Sequence, residues 1–195
     1  MAKTVDLWLD LRSPYSFLAK DPAYALEKEL DVTLRLRPFA LNLAGVVNLN
    51  DPAALANGLR KVKYLYADAR RFAGPRGITL LGPKKIFDQK LVHLAWLFAE
   101  KSGKDRALID LAYPRFFKRE LDYEDRGAVG MLLKESGVDP AGFDAFASGE
   151  GPKELAAHQQ EAEAQGVFAV PTFVVDGELF WGQDRIDFVR AKLSA

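Results

Sequence analysis

The chain has 195 residues, of which 49% are hydrophobic and 28% charged, a composition that suits a folded globular protein with a substantial core and excludes a disordered one. Lys plus Arg and Asp plus Glu both number 27, so there is no net positive charge to attract nucleic acid, and no nucleic-acid partner is expected. No cysteine is present, no basic stretch leads into an apolar leader, and no apolar run approaches the roughly 20 residues that span a bilayer; a cytoplasmic protein is therefore expected, without a membrane partner.

Val5 to Asp10 reads as a strand in which Val5, Leu7, Leu9 and Leu11 alternate with Asp6, Trp8 and Asp10, predicting one buried face. Ser13 marks a helix start, with Pro14 at the first helical position where its missing N–H is harmless, and the helix continues to about Leu30. Val32 to Pro38 reads as the next strand, and a right-handed β-α-β crossover makes the two strands parallel.

From about Leu43 to Gly151 the pattern is mainly helical, with Lys61 to Phe72, Leu91 to Lys101, Arg106 to Arg119 and Tyr123 to Glu135 as its clearer segments. Pro114 is expected to bend or split the third, and Asp139-Pro140 to start another short helical piece. Glu154 to Gln165 reads as a helix stopped by Gly166. Thr172 to Val175 and Glu178 to Trp181 flank Asp176-Gly177, a strong hairpin signal. The last helix is expected to bury Ile186, Phe188, Val189 and Leu193. The order β-α-β, helices, β-β-α is that of an α/β thioredoxin-like fold split by an all-helical insertion: residues 1–42 and 152–195 form the thioredoxin-like domain and residues 43–151 the insertion.

The chemistry starts at Ser13-Pro14-Tyr15-Ser16. In a thioredoxin-type redox motif two cysteines stand at this spacing, after the first strand and at a helix N-terminus that stabilises a thiolate. Here both are serine, and a chain without cysteine runs no disulfide cycle of its own, so a thiol used at this site arrives with a ligand, for which glutathione is the obvious candidate. The Ser13 hydroxyl can donate to a ligand thiolate, and it is equally a complete N-cap. Val170-Pro171 stands where a thioredoxin core carries a cis proline facing the active-site helix, leaving the Val170 main chain to pair with an extended peptide; the plain alternative is a trans proline opening an edge strand.

Gln183 and Asp184 lie at the predicted start of the last helix, where free N–H groups take a carboxylate and Asp184 an ammonium, or where Asp184 is only a cap. Arg60-Lys61-Lys63 could hold an anion or form a solvated helix face, and Asn48 and Asn50 sit in the loop before it. His93 and His158 have no metal-ligand spacing, no metal is expected, and both read as helix residues without catalytic duty. Trp96, Phe98, Phe116, Phe117, Phe143 and Phe146 read chiefly as helical core.

The segment from Ser13 to Ala19, Gly166 to Phe173, and Phe180-Trp181-Gly182-Gln183-Asp184-Arg185 together resemble the 2-hydroxychromene-2-carboxylate isomerase family, related to kappa-class glutathione transferases within the DsbA-like thioredoxin superfamily. Lys61 to Asp68 resembles that family's first inserted helix, which extends the likeness over nearly the whole chain. The resemblance implies that Ser13 is the catalytic serine at the glutathione sulfur, that Val170 pairs with the cysteinyl backbone, and that Gln183 and Asp184 hold the γ-glutamyl end, with Lys61 and Asn50 near further ligand contacts. It implies an isomerase acting on a small aromatic carboxylate or related electrophile, in which the thiol adds, the ring opens and rotates, and the thiol leaves, so that glutathione is recycled; it also implies a homodimer. Two other readings stand beside it: a kappa-like transferase or peroxidase that consumes glutathione, and a non-catalytic protein that binds a thiol peptide or a partner along the Val170 edge.

Overall fold

The computed structural model describes residues 3–43 and 51–194. Strand β1 (Lys3–Leu9) leads into helix α1 (Pro14–Glu29) and returns as β2 (Val32–Pro38), which lies parallel to β1 over its full length. The chain then forms α2 (Pro52–Ala73), α3 (Lys90–Glu100), α4 (Asp105–Phe117), α5 (Arg126–Glu135), α6 (Phe143–Ser148) and α7 (Gly151–Ala164). It re-enters the sheet as the hairpin β3 (Thr172–Val175) and β4 (Glu178–Trp181), and closes with α8 (Ile186–Ser194). Among the described residues the sheet has four strands in the order β2-β1-β3-β4, with β3 antiparallel to β1. This is the thioredoxin-like α/β order expected from the sequence. Asp176 and Gly177 both have positive φ, +50° and +80°, as a tight hairpin turn requires.

β1 is central, and it is buried on both faces. Val5, Leu7 and Leu9 join the main core with Phe17 and Leu18 of α1 and Val189 and Leu193 of α8. The other face belongs to Trp8, which packs with Ala162 of α7, Val167, Val170 and Val174. Alternation along β1 thus separates two apolar layers, where the sequence predicted a buried and a polar face. Asp6, on the Trp8 side, is buried against Arg35, whose Nε and Nη2 donate to its two oxygens at 2.6 and 2.7 Å. Trp8 itself donates from Nε1 to Gln165 Oε1 at 3.0 Å and lies under the Arg37 guanidinium.

The helical segments pack largely on aromatic side chains. Phe17 of α1 stacks on Tyr113 and Phe117 of α4 with centroids 5.1 and 5.6 Å apart, and Phe98 of α3 meets Phe143 and Phe146 of α6, both at 5.5 Å. The six aromatics assigned to a helical core do stand there, with Trp96 and Phe117 fully buried.

Four expectations need correction. α4 passes through Pro114 without splitting, because the proline falls in its last turn and the helix stops at Phe117. α2 begins at Pro52, nine residues before the predicted Lys61, capped by Asp51, whose side chain accepts from the N–H groups of Ala53 and Ala54. The short piece after Asp139-Pro140 becomes helical only at Phe143, after Gly142 turns the chain with a φ of +87°. Phe188 is 60% exposed, so the buried stripe of α8 is Val189 and Leu193 with Ile186 partly covered. Among the described residues no helix is long and apolar enough to cross a membrane.

Trp8→Ala should lower stability by about 3–5 kcal/mol in urea unfolding, since it empties the second apolar layer. Trp8→Phe, which removes mainly the bond to Gln165, should lose only about 1–2 kcal/mol.

Candidate active site

Ser13 sits at the junction of β1 and α1 with extended backbone, φ −86° and ψ 120°. Its N–H donates to the Asp10 carbonyl at 2.9 Å, and its Oγ accepts the Ser16 N–H at 3.2 Å. Ser13 is therefore the N-cap of α1, as one of the two readings has it. Capping uses an oxygen lone pair and leaves the hydroxyl proton free to donate, so the cap and a ligand contact are compatible. Pro14 has no N–H, and Ser16 N–H is taken by the cap; among the described residues the Tyr15 N–H makes no hydrogen bond. A helix end with an unspent donor and its dipole favours an anion there.

Ser13 opens onto a cavity of about 570 Å³. The residues brought to it from the far end of the chain include Val170, Pro171, Gln183 and Asp184. The Val170–Pro171 peptide bond is cis. Neither the N–H nor the C=O of Val170 is hydrogen-bonded among the described residues, while the Pro171 carbonyl accepts the Gly182 N–H at 2.9 Å. Gly182 has a φ of +125°, and a Cβ there would stand 2.6 Å from Asp184 Oδ1, so this position needs glycine to seat the acid. Gln183 and Asp184 belong to a short 3-10 turn, Gln183–Arg185, and α8 begins only at Ile186. Arg185 Nη1 lies 3.2 Å from Asp184 Oδ2, an ion pair about half exposed.

The rest of the wall is largely apolar, with Leu41 and Leu43 after β2, Leu65 and Phe72 of α2, and Ile86 and Phe87 before α3. The Tyr15 hydroxyl donates to Asp68 Oδ2 at 2.7 Å; burial and then that carboxylate raise the phenol above its ordinary value, so it stays protonated. Lys61 is exposed on α2 and does not line the cavity, although Val62 beside it and Leu65 one turn on do. Asn48 and Asn50 lie outside the described residues. Tyr15, Tyr66, Phe72, Phe87 and Trp181 are wall residues that reading the sequence alone did not assign to a site. Of these, Tyr15, Tyr66 and Trp181 stand inside segments that carry the resemblance and that could flag them, whereas Phe72 and Phe87 do not.

Beneath the site, Asp10 is fully buried. Burial alone would raise its carboxyl, but the hydrogen bonds and charge of Arg12 outweigh that and hold it below the ordinary value. His93 of α3 is also fully buried; its Nε2 accepts the Leu11 N–H at 3.2 Å, which fixes the neutral ring with its proton on Nδ1. Burial pushes the imidazole down to about 4, against the opposing pull of Asp10.

Residues 4–194 match the family model of the DSBA-like thioredoxin domain. The chain belongs to this family. A curated 2-hydroxychromene-2-carboxylate isomerase from Sphingobium xenophagum is 28% identical over 194 residues, covering 99% of both chains. One of the same description from Pseudomonas putida is 25% identical over 93% of this chain and 90% of its own. Among solved structures, a 2-hydroxychromene-2-carboxylate isomerase superposes with a TM-score of 0.80 at 22% identity, covering 98% of this chain and 94% of that one. The cytosolic disulfide reductase DsbM from Pseudomonas aeruginosa, solved with GSH, covers 98% of this chain and all of its own at a TM-score of 0.63 and 16% identity. At these identities the solved structures establish the shared DsbA-like fold.

Stability should depend on pH through His93. Between its unfolded value near 6.5 and its folded value of about 4, the unfolded chain binds a proton that the folded chain does not, so stability is lost as pH falls through that window. The expected loss is about 3 kcal/mol from this ring. His93→Gln, which can still accept from Leu11, should flatten the pH dependence of urea unfolding between those limits.

Proposed function

We propose that this protein is a glutathione-dependent isomerase of the 2-hydroxychromene-2-carboxylate type. The observation that carries this reading is the convergence on one cavity of Ser13 and Val170, whose hydroxyl proton and main chain are unpaired among the described residues, in a chain that has no cysteine. The curated relatives that match almost end to end carry the isomerase name, which supports the reaction class.

The donor set suits a thiol peptide. Glutathione, when bound, supplies the nucleophilic thiol that adds reversibly to an electrophilic carbon of the substrate. Ser13 donates its proton toward the sulfur, and the unspent Tyr15 N–H with the α1 dipole favours the thiolate over the thiol. The N–H and C=O of Val170 pair with the cysteinyl main chain as a strand edge does. At the other end, Gln183 takes the α-carboxylate and Asp184 the α-ammonium of the γ-glutamyl group, with Asp184 exchanging its partner Arg185 for the ligand. The resemblance also puts Lys61 and Asn50 near the ligand, but Lys61 does not line the cavity and Asn50 lies outside the described residues, so the set rests on Ser13, Val170, Gln183 and Asp184. The apolar wall holds a flat aromatic carboxylate near the sulfur and excludes water. Because the chain offers no second thiol, a bound glutathione is not resolved by a protein disulfide, which favours reversible addition over redox turnover.

Calorimetric titration with reduced glutathione should show one site per chain. Ser13→Ala should bind glutathione within about tenfold of the parent yet lose about 100-fold or more in kcat on the chromene carboxylate. Free glutathione should be unchanged in amount after many turnovers. Stoichiometric loss of glutathione into a thioether would instead identify a kappa-like transferase, and the absence of both binding and turnover would favour the non-catalytic reading.

A further inference from the structure

Arg12 lines the cavity, and the reading above leaves it without a role. Its side chain is 9% exposed, and its guanidinium bonds to three separate stretches of chain. Nε and Nη2 donate to Oδ1 and Oδ2 of Asp10 at 3.0 and 2.7 Å. Nη2 also donates to the Leu41 carbonyl at 2.9 Å, and Nη1 to the Phe87 carbonyl at 3.0 Å. Asp10 completes the set, accepting the Arg12 N–H on Oδ1 at 2.8 Å and the Leu41 N–H on Oδ2 at 2.9 Å. Leu41 is thus gripped at both its N–H and its C=O by one buried ion pair.

The gripped residues lie in segments that have no regular structure of their own. Leu41 follows β2 and Phe87 precedes α3, and each stands beside another apolar wall residue, Leu43 and Ile86. The second segment is also held from outside, where Glu124 accepts the Asp88 N–H at 2.7 Å. On its inner side, among the described residues, its polar tie is the bond from Arg12 Nη1 to the Phe87 carbonyl. A planar guanidinium can serve a carboxylate and two carbonyls at once, which an ammonium on a flexible stem cannot do in one geometry.

We propose that Asp10 and Arg12 are positioning residues that clasp the Leu41 and Phe87 segments onto the turn between β1 and α1, and so set the shape of the apolar part of the cavity that selects the aromatic substrate. The selectivity half of this inference rests on the functional reading above; the clasp itself does not. Ser13 is held by the Asp10 main-chain carbonyl and not by this side-chain pair, so the thiol end of the site should be little affected by loss of the guanidinium.

The test has two parts. In the unaltered protein, the Leu41 amide should exchange with solvent at least about 100-fold more slowly than an open loop amide, although it lies in no helix or strand. Fast exchange there overturns the clasp without any variant. In Arg12→Lys, which keeps the charge beside Asp10, Leu41 protection should drop about tenfold or more while α3 and α4 amides hold theirs. The KM for the chromene carboxylate, or the Kd for a naphthalene sulfonate dye, should rise about tenfold, with kcat and the glutathione Kd each within about twofold of the parent. Equal weakening of both ligands, or a uniform rise in exchange across the chain, would mark Arg12 as a general stabiliser and overturn the proposal. If the parent neither turns over nor binds glutathione, the functional reading fails, while exchange and dye binding still decide the clasp.

Discussion

Asp10 follows the last residue of the central strand with no surface exposed to water, and a carboxylate in that position has to be met by donors where it stands. It is met by its own neighbour, Arg12, and by the Leu41 N–H, so the cavity wall and the charge are settled together. Its main-chain carbonyl accepts the N–H of Ser13 and the hydroxyl of Tyr113 at 3.2 Å, which ties the start of α1 to α4. Tyr123 does the same for Leu11, donating to its carbonyl at 3.2 Å. Few of these groups are exposed, so the geometry around Ser13 is fixed by packing before any ligand arrives.

That rigidity matters because the chain contributes no thiol. A disulfide enzyme of this fold uses the N-terminus of α1 to lower the pKa of its own cysteine. Here the same helix end carries serine, and what remains is a cradle: a hydroxyl, an amide and a stretch of main chain at Val170 that are unpaired among the described residues, and an acid seated by Gly182. Under the proposed function the thiol is something the site binds, and the space beside it is a substrate pocket instead of a partner-protein surface.

The order of strands and helices was legible because its signals are local. Ser13-Pro14, Asp176-Gly177 and the run Val32 to Pro38 name their elements by capping, turn and period alone. α2 starts at Asp51-Pro52, the same cap-plus-proline signal as Ser13-Pro14, ahead of Lys61, where the apolar period first becomes clear. The two-sided burial of β1 could not be read from alternation, since Asp6 and Asp10 look like a solvent face until Arg35 and Arg12 are brought to them by the fold. The same holds for the site. Ser13, Val170, Gln183 and Asp184 stood in motifs, whereas Arg12, Leu41 and Phe87 act through long-range bonds that no spacing encodes.

If the protein activates a thiol that it does not own, the ionisation of that thiol reports it. With no cysteine in the chain, the thiolate absorbance of a protein–glutathione complex, taken as a difference against protein alone, comes only from the ligand. The account predicts that bound glutathione titrates at least about one unit below the ordinary thiol value near 8.5, and that Ser13→Ala moves it back up. A bound thiol with an unshifted pKa, or one indifferent to Ser13, would contradict it.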